Sequence, residues 1–115
     1  MTTQGDDLTC CSAVELAGLI ATKKASPVEV LEAHLARIAA LNPKLNAIVT
    51  LAADQARAAA KSAEAAVMRG DTLGRLHGLP IVIKDVTETA GIRTTYGCLL
   101  FKDFVPDEDA EVVAR

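Results

Sequence analysis

The sequence predicts an α/β protein, and three observations carry that expectation. Two stretches open on the pattern Ser-x-x-Glu and run into helix-forming sequence, the second with apolar residues at three and four residue spacing. An alanine-rich stretch of strong helix-forming composition follows. Gly78-Leu79-Pro80 then delivers three consecutive bulky apolar residues, Ile81, Val82 and Ile83, whose unbroken apolar character fits a strand covered on both faces.

The first element starts at Ser12. With Glu15 three positions on, hydroxyl and carboxylate satisfy two orphan amides at a helix start, and the spacing predicts a helix through about Lys23. The device recurs at Ser26 and Glu29, with Pro27 at the first helical position, where its missing N–H costs nothing. Val28, Leu31, Leu35 and Ile38 then form one apolar stripe, and Asn42-Pro43 is expected to end the run. Residues 46–50, NAIVT, are short and β-branched, a strand or an extended connection. Nine alanines between positions 52 and 66 make the next helix, closed by Arg69-Gly70. Small side chains let it lie close against a neighbour but bury little area each. After the apolar run, residues 90–98, AGIRTTYGC, carry two glycines and no helical period, and predict a loop or short strand. Asp107, with Glu108 and Asp109 behind it, predicts the N-cap of a last helix running into Arg115.

One convincing strand and one marginal one fall short of the three or so that an independent sheet requires. The expectation is therefore the front portion of a larger α/β protein, with residues 1–115 forming the amino-terminal part of a single domain without an internal boundary. The 12 basic and 15 acidic residues are scattered, giving a formal charge of −3 and no basic cluster able to neutralise several phosphates, which argues against nucleic acid as a ligand. The start, MTTQGDDLTCC, shows neither a charged n-region nor an apolar h-region, and no apolar run approaches the ~20 residues of a membrane span. A cytoplasmic protein without a membrane partner is expected. Cys10, Cys11 and Cys98 cannot all pair within one chain and lack zinc-ligand spacing, so reduced thiols and no metal are predicted. His34 and His77 are expected at a surface or interface rather than as catalytic bases.

The chemistry centres on Lys84, where the apolar run stops. A lysine at a strand end ordinarily snorkels to water or pairs with an acid such as Asp85. Buried against apolar surroundings, it would instead shift its pKa down; a move from about 10.4 to near 7 corresponds to roughly 4 kcal/mol of destabilised ammonium, and the amine becomes a proton acceptor. No Gly-rich phosphate loop of recognised spacing is present, and Asp107 to Asp109 suit a helix start better than a metal cluster.

The order SPVEVLEAHLARIAALNPKLNA, then G-x-LHGLPIVIKD, then AGIRTTYG, then FVPDEDAEVV, resembles the amino-terminal third or less of the amidase-signature hydrolases, from about Leu8 to Arg115. The resemblance implies the amino-terminal portion of a fold with a large mixed sheet covered by helices, incomplete in this chain. It implies cleavage of carboxylic amide C–N bonds by a Ser–cis-Ser–Lys triad, with Lys84 as the catalytic lysine. No cofactor and no metal are implied, and the partner is a small-molecule amide, with homo-oligomerisation left open. The family commonly has serine where this chain has Cys98. The bridging serine, the nucleophile and the glycine-rich oxyanion loop belong to a later signature, and none of Ser12, Ser26 and Ser62 matches a triad position. Two alternatives accompany this expectation. One is a truncated, non-catalytic product or binding module. The other is the glutaminase-type subunit of a tRNA-dependent amidotransferase, whose amino-terminal blocks look similar.

Overall fold

The computed structural model describes residues 7–115. The helices are α1 (Ala13–Ala21), α2 (Pro27–Leu45), α3 (Ala53–Arg69) and the short α4 (Glu111–Ala114), with a single 3-10 turn at Leu99–Phe101. The chain divides into two compact units. One comprises the described residues up to Leu45 together with Ala53–Pro80; the other comprises Asn46–Ala52 and Ile81–Arg115.

In the first unit both predicted capping boxes form. At α1, the Ser12 N–H donates to Glu15 Oε2 (2.7 Å) and the Glu15 N–H to Ser12 Oγ (3.3 Å). At α2 the Ser26 N–H donates to Glu29 Oε2 (2.8 Å) and the Glu29 N–H to Ser26 Oγ (3.1 Å). Helix α1 closes in a Schellman arrangement, Lys24 N–H to Leu19 O (2.8 Å) and Lys23 N–H to Ile20 O (3.0 Å), with Lys23 left-handed at φ 59°. Helix α3 closes the same way on Gly70 at φ 78°, where glycine meets the left-handed position without strain.

Helix α2 divides its apolar residues between two clusters. Leu31 and Leu35 are buried against Ala60 of α3, with Val28 and Ile38 packed alongside, so the predicted stripe is the α2–α3 seam. Alanines at Ala53, Ala56 and Ala60 allow the two helices to approach, and Arg57 on α3 clamps Glu32 on α2 through Nε at 2.6 Å and Nη2 at 3.2 Å. Val30, outside the stripe and 0% exposed, joins Leu16 and Ile20 of α1, Ala25 and Val67 in the other cluster. Helix α2 also runs past its expected stop, since Pro43 lies inside it and the helix ends at Leu45. Two residues from the end, a proline removes one ladder bond from the fraying turn, and Asn46, left-handed at φ 50°, makes the break.

Gly78 shows how tightly this unit closes. Its φ is +76°, and a Cβ there would stand 2.8 Å from Pro27 Cγ and 3.3 Å from Ile20 Cδ1. Gly78→Ala combines left-handed strain with overpacking of the α1–α2 corner, and we expect a loss of roughly 1–3 kcal/mol, read as a lower denaturant midpoint. An unchanged midpoint would show that Pro27 and Ile20 yield freely.

The second unit departs from the expected sheet. Among the described residues no strand forms, and the β-structure is one isolated bridge between Thr89 and Ile92. The run 79–83, predicted as a buried strand, has no regular secondary structure and joins no ladder, and Ile81 and Val82 are 74% and 73% exposed. A strand exists only through a neighbour's amides and carbonyls, and the described residues provide no such neighbour. Residues 46–50 form an irregular connection, with a bend at Val49 and Thr50. The expected mixed sheet is thus absent from the described residues.

Loop-to-loop hydrogen bonds organise this unit instead. The Gly91 N–H donates to Pro106 O (2.9 Å), Thr94 N–H to Phe104 O (3.0 Å) and Ala110 N–H to Glu88 O (2.9 Å). Asp109 Oδ1 accepts the Ala90 N–H at 2.7 Å. Residues 107–110 are therefore held non-helical beside 88–90. That is why α4 begins at Glu111 behind Ala110, and the predicted cap at Asp107 is not used. Arg93 ties three segments together: Nε to Thr50 Oγ1 (3.2 Å), Nη1 to Lys102 O (2.8 Å) and Nη2 to Val49 O (3.0 Å).

Candidate active-site segment

Lys84 follows the apolar run and opens a turn in which its carbonyl accepts the Thr87 N–H at 2.9 Å. Its side chain is exposed, which corrects the expectation of an apolar, buried setting at a strand end. Among the described residues it forms no ion pair, with Asp85 or any other acid.

Asp85 turns elsewhere. Its Oδ1 accepts the Thr95 N–H (2.8 Å), its Oδ2 accepts the Thr95 hydroxyl in a short bond, and its carbonyl accepts the Tyr96 N–H (2.8 Å). These donors, the Thr95 hydroxyl foremost, hold the Asp85 carboxyl below its usual value, and the Arg93 charge and the Gly97 N–H add to the effect. Residues 95–98 form a tight turn closed by the Cys98 N–H on Thr95 O at 2.9 Å. Both central residues are left-handed, Tyr96 at φ 54° and Gly97 at φ 64°, the signature of a type I′ turn. Gly97 takes that conformation freely, whereas Tyr96 pays for its Cβ.

Side-chain contacts hold Tyr96 there. Its ring lies 5.2 Å from that of Phe101 and 6.4 Å from that of Phe104, and its hydroxyl donates a short bond to Glu88 Oε1, which raises the phenol's pKa. A shallow depression bordered by Val49, Arg93, Thr95, Cys98 and Lys102 lies beside the turn. Cys98 is half-buried there and not in a disulfide.

The remaining candidates resolve into structural roles. Ser12 and Ser26 accept capping bonds, and the Ser62 hydroxyl donates to Ala58 O at 3.2 Å within α3. Both histidines meet backbone carbonyls, His34 Nδ1 with Val30 O at 2.7 Å and His77 Nε2 with Ala63 O at 2.9 Å, and both are half-buried. No group of three or more metal-ligating side chains occurs among the described residues, and no helix among them is long and apolar enough to cross a membrane. Sequence reasoning singled out Lys84 and overlooked Asp85, which fastens the neighbouring turn. The available signal was Tyr96-Gly97, an x-Gly pair suited to a type I′ turn, which must be fastened by something nearby.

A family model described as Amidase matches residues 29–115, a span that includes Lys84, Asp85 and the turn. A glutamyl-tRNA(Gln) amidotransferase subunit from Acidothermus cellulolyticus is 42% identical over 109 residues, covering 95% of this chain and 22% of that protein. A Mycobacterium tuberculosis protein that bears the name "Putative amidase AmiD" is 43% identical over 101 residues, covering 88% of this chain and 21% of that protein. Of solved structures, a bacterial aryl acylamidase of the amidase signature family superposes with a TM-score of 0.78 at 36% identity, over 83% of this chain and 20% of that one. A chain from a protein complex tied to the origins of an s-triazine catabolic enzyme superposes with a TM-score of 0.86 at 30% identity, over 90% and 23%. This chain therefore spans between a fifth and a quarter of the length of these relatives, and it belongs to the amidase (amidase-signature) family.

Proposed function

We propose that these residues supply the general base of an amide-cleaving enzyme, with Lys84 as that base. The observation that carries the reading is the position of Lys84: it lies within the family-matched span, without an acid partner among the described residues, beside a turn fastened to its own neighbour. A neutral Lys84 amine takes a proton through a bridging serine. A second serine attacks the amide carbonyl and expels the amine, and water then releases the acid from the acyl-enzyme. Backbone amides stabilise the oxyanion. Both serines and that oxyanion site are assigned to polypeptide beyond residue 115. Exclusion of water around Lys84, needed to lower its proton affinity, is assigned to the same polypeptide.

A second reading, the glutaminase-type subunit of an amidotransferase, is favoured by the 42% identity to an amidotransferase subunit. The two share the C–N cleavage and differ in substrate. An amidase-length polypeptide carrying residues 1–115, offered aryl and fatty amides in parallel with glutamine, separates them by which of the two substrates is hydrolysed. Consumption of neither substrate would remove both readings.

Cys98 has no activating histidine in a recognisable pattern, and its N–H closes the turn. In the same polypeptide Cys98→Ser is expected to keep turnover within about threefold of the parent, well short of the losses that follow removal of a nucleophile. Acyl transfer to the Cys98 thiol, seen by mass spectrometry together with loss of turnover in Cys98→Ser, would reverse this assignment.

A further inference from the structure

We propose that Asp85 is the positioning residue for Lys84, fastening the Thr95–Cys98 turn to the backbone immediately after the lysine and so fixing where the Lys84 side chain departs from the chain. This inference rests on the reading of Lys84 as the base.

Three observations carry it. First, Asp85 is bound from both ends: the carboxylate takes the amide and hydroxyl of Thr95, and the carbonyl takes the amide of Tyr96. Its peptide plane and its side chain are thus both tied to one turn, and with the Lys84 carbonyl held by the Thr87 N–H, the lysine backbone is constrained from two directions. Second, that turn would not hold itself. Tyr96 sits at φ 54°, a conformation that side chains rarely adopt, and such strain persists only where surrounding contacts over-determine it. The Asp85 bonds reach the residues on either side of the Thr95–Tyr96 peptide, where the left-handed stretch begins. Third, both carboxylate oxygens are committed to Thr95, so the acid next to Lys84 is not its counter-ion. A carboxylate paired with the ammonium would favour the charged form and oppose a role as base. Directing Asp85 to Thr95 uses the acid to hold geometry.

The test is steady-state kinetics on an amidase-length polypeptide carrying residues 1–115, comparing the parent with Lys84→Ala, Asp85→Asn, Asp85→Ala, Thr95→Val and Asp85→Ala/Thr95→Val, each checked by thermal melting. Displacing a reacting group by ~1 Å costs about 100-fold in rate. Asp85→Ala should therefore lower kcat by about that factor with KM nearly unchanged. Thr95→Val should lower kcat less, and the double variant should be no slower than Asp85→Ala alone, because both act through one clamp. Asp85→Asn, which preserves shape and the acceptor for the Thr95 N–H, should recover part of the loss and serves where Asp85→Ala does not fold. Parental kcat in folded Asp85→Ala or, where that variant does not fold, in both Asp85→Asn and Thr95→Val, or fully multiplicative losses in the double variant, would overturn the positioning role while an inactive Lys84→Ala upheld the base. Turnover by Lys84→Ala would overturn the base itself.

Discussion

Lys84→Ala is expected to remove amide hydrolysis from an amidase-length polypeptide, lowering kcat by at least 10²–10⁴-fold, the range for a positioned general base. In the 115-residue chain by itself the same change should leave stability almost untouched. The Lys84 side chain is exposed and forms no ion pair among the described residues, and substitutions at such positions ordinarily fall within ±0.5 kcal/mol. A loss of turnover at constant melting temperature is therefore chemical. Lys84→Arg sharpens the test. An arginine keeps the positive charge and the long stem but cannot deprotonate in a protein, so it should be as inactive as alanine. If the lysine serves only as a charge that binds substrate, Lys84→Arg retains kcat and changes KM, and that outcome would sink the assignment.

The sequence was most informative where structure is set within a few residues. The Ser12–Glu15 and Ser26–Glu29 boxes span one turn of backbone each, and both form as expected. The stripe of Val28, Leu31, Leu35 and Ile38 finds α3 because helical periodicity already puts those side chains on one face. Val30 was not legible, since its burial depends on α1 and Val67 approaching from the other side. The run Ile81–Ile83 failed as a strand for a related reason: apolarity states that a segment is suited to burial, but pairing requires a second backbone at the right distance. At the end of the chain, Asp107 has the chemistry of a cap, yet long-range bonds from Ala90 to Asp109 and from Ala110 to Glu88 hold the preceding residues out of the helix. Lys84 was identified through the order of motifs around it. Its local sequence fitted either a lysine that snorkels to water or one buried at a strand end, and in the structure the side chain is exposed.

A polypeptide of these 115 residues, prepared by itself, is expected to release no amine from aryl or fatty amides above a Lys84→Ala control, and to self-associate. The catalytic half of this expectation follows from the hydroxyls. Ser12 and Ser26 are occupied as helix caps and Ser62 is bonded within α3, so none is organised as a nucleophile. A base without a nucleophile and an oxyanion site contributes little, since triad members act as a unit. The physical half follows from the second unit, whose Leu99 and Leu100 are 86% and 90% exposed, in addition to the open Ile81–Val82 run. Every residue of the two buried apolar clusters belongs to the first unit, so the second is held by hydrogen bonds and ring contacts while many of its large aliphatic side chains face water. Exposed apolar surface of this kind favours association. Sedimentation and dye binding should report oligomers or aggregates, and Val82→Lys with Leu100→Lys should shift the population toward monomer without touching the α2–α3 seam. A monomeric, cooperatively melting parent would show that the exposed aliphatic residues are tolerated. Amide hydrolysis by that monomer, absent from Lys84→Ala, would place a nucleophile within these residues and require the division of labour between Lys84 and distant serines to be abandoned.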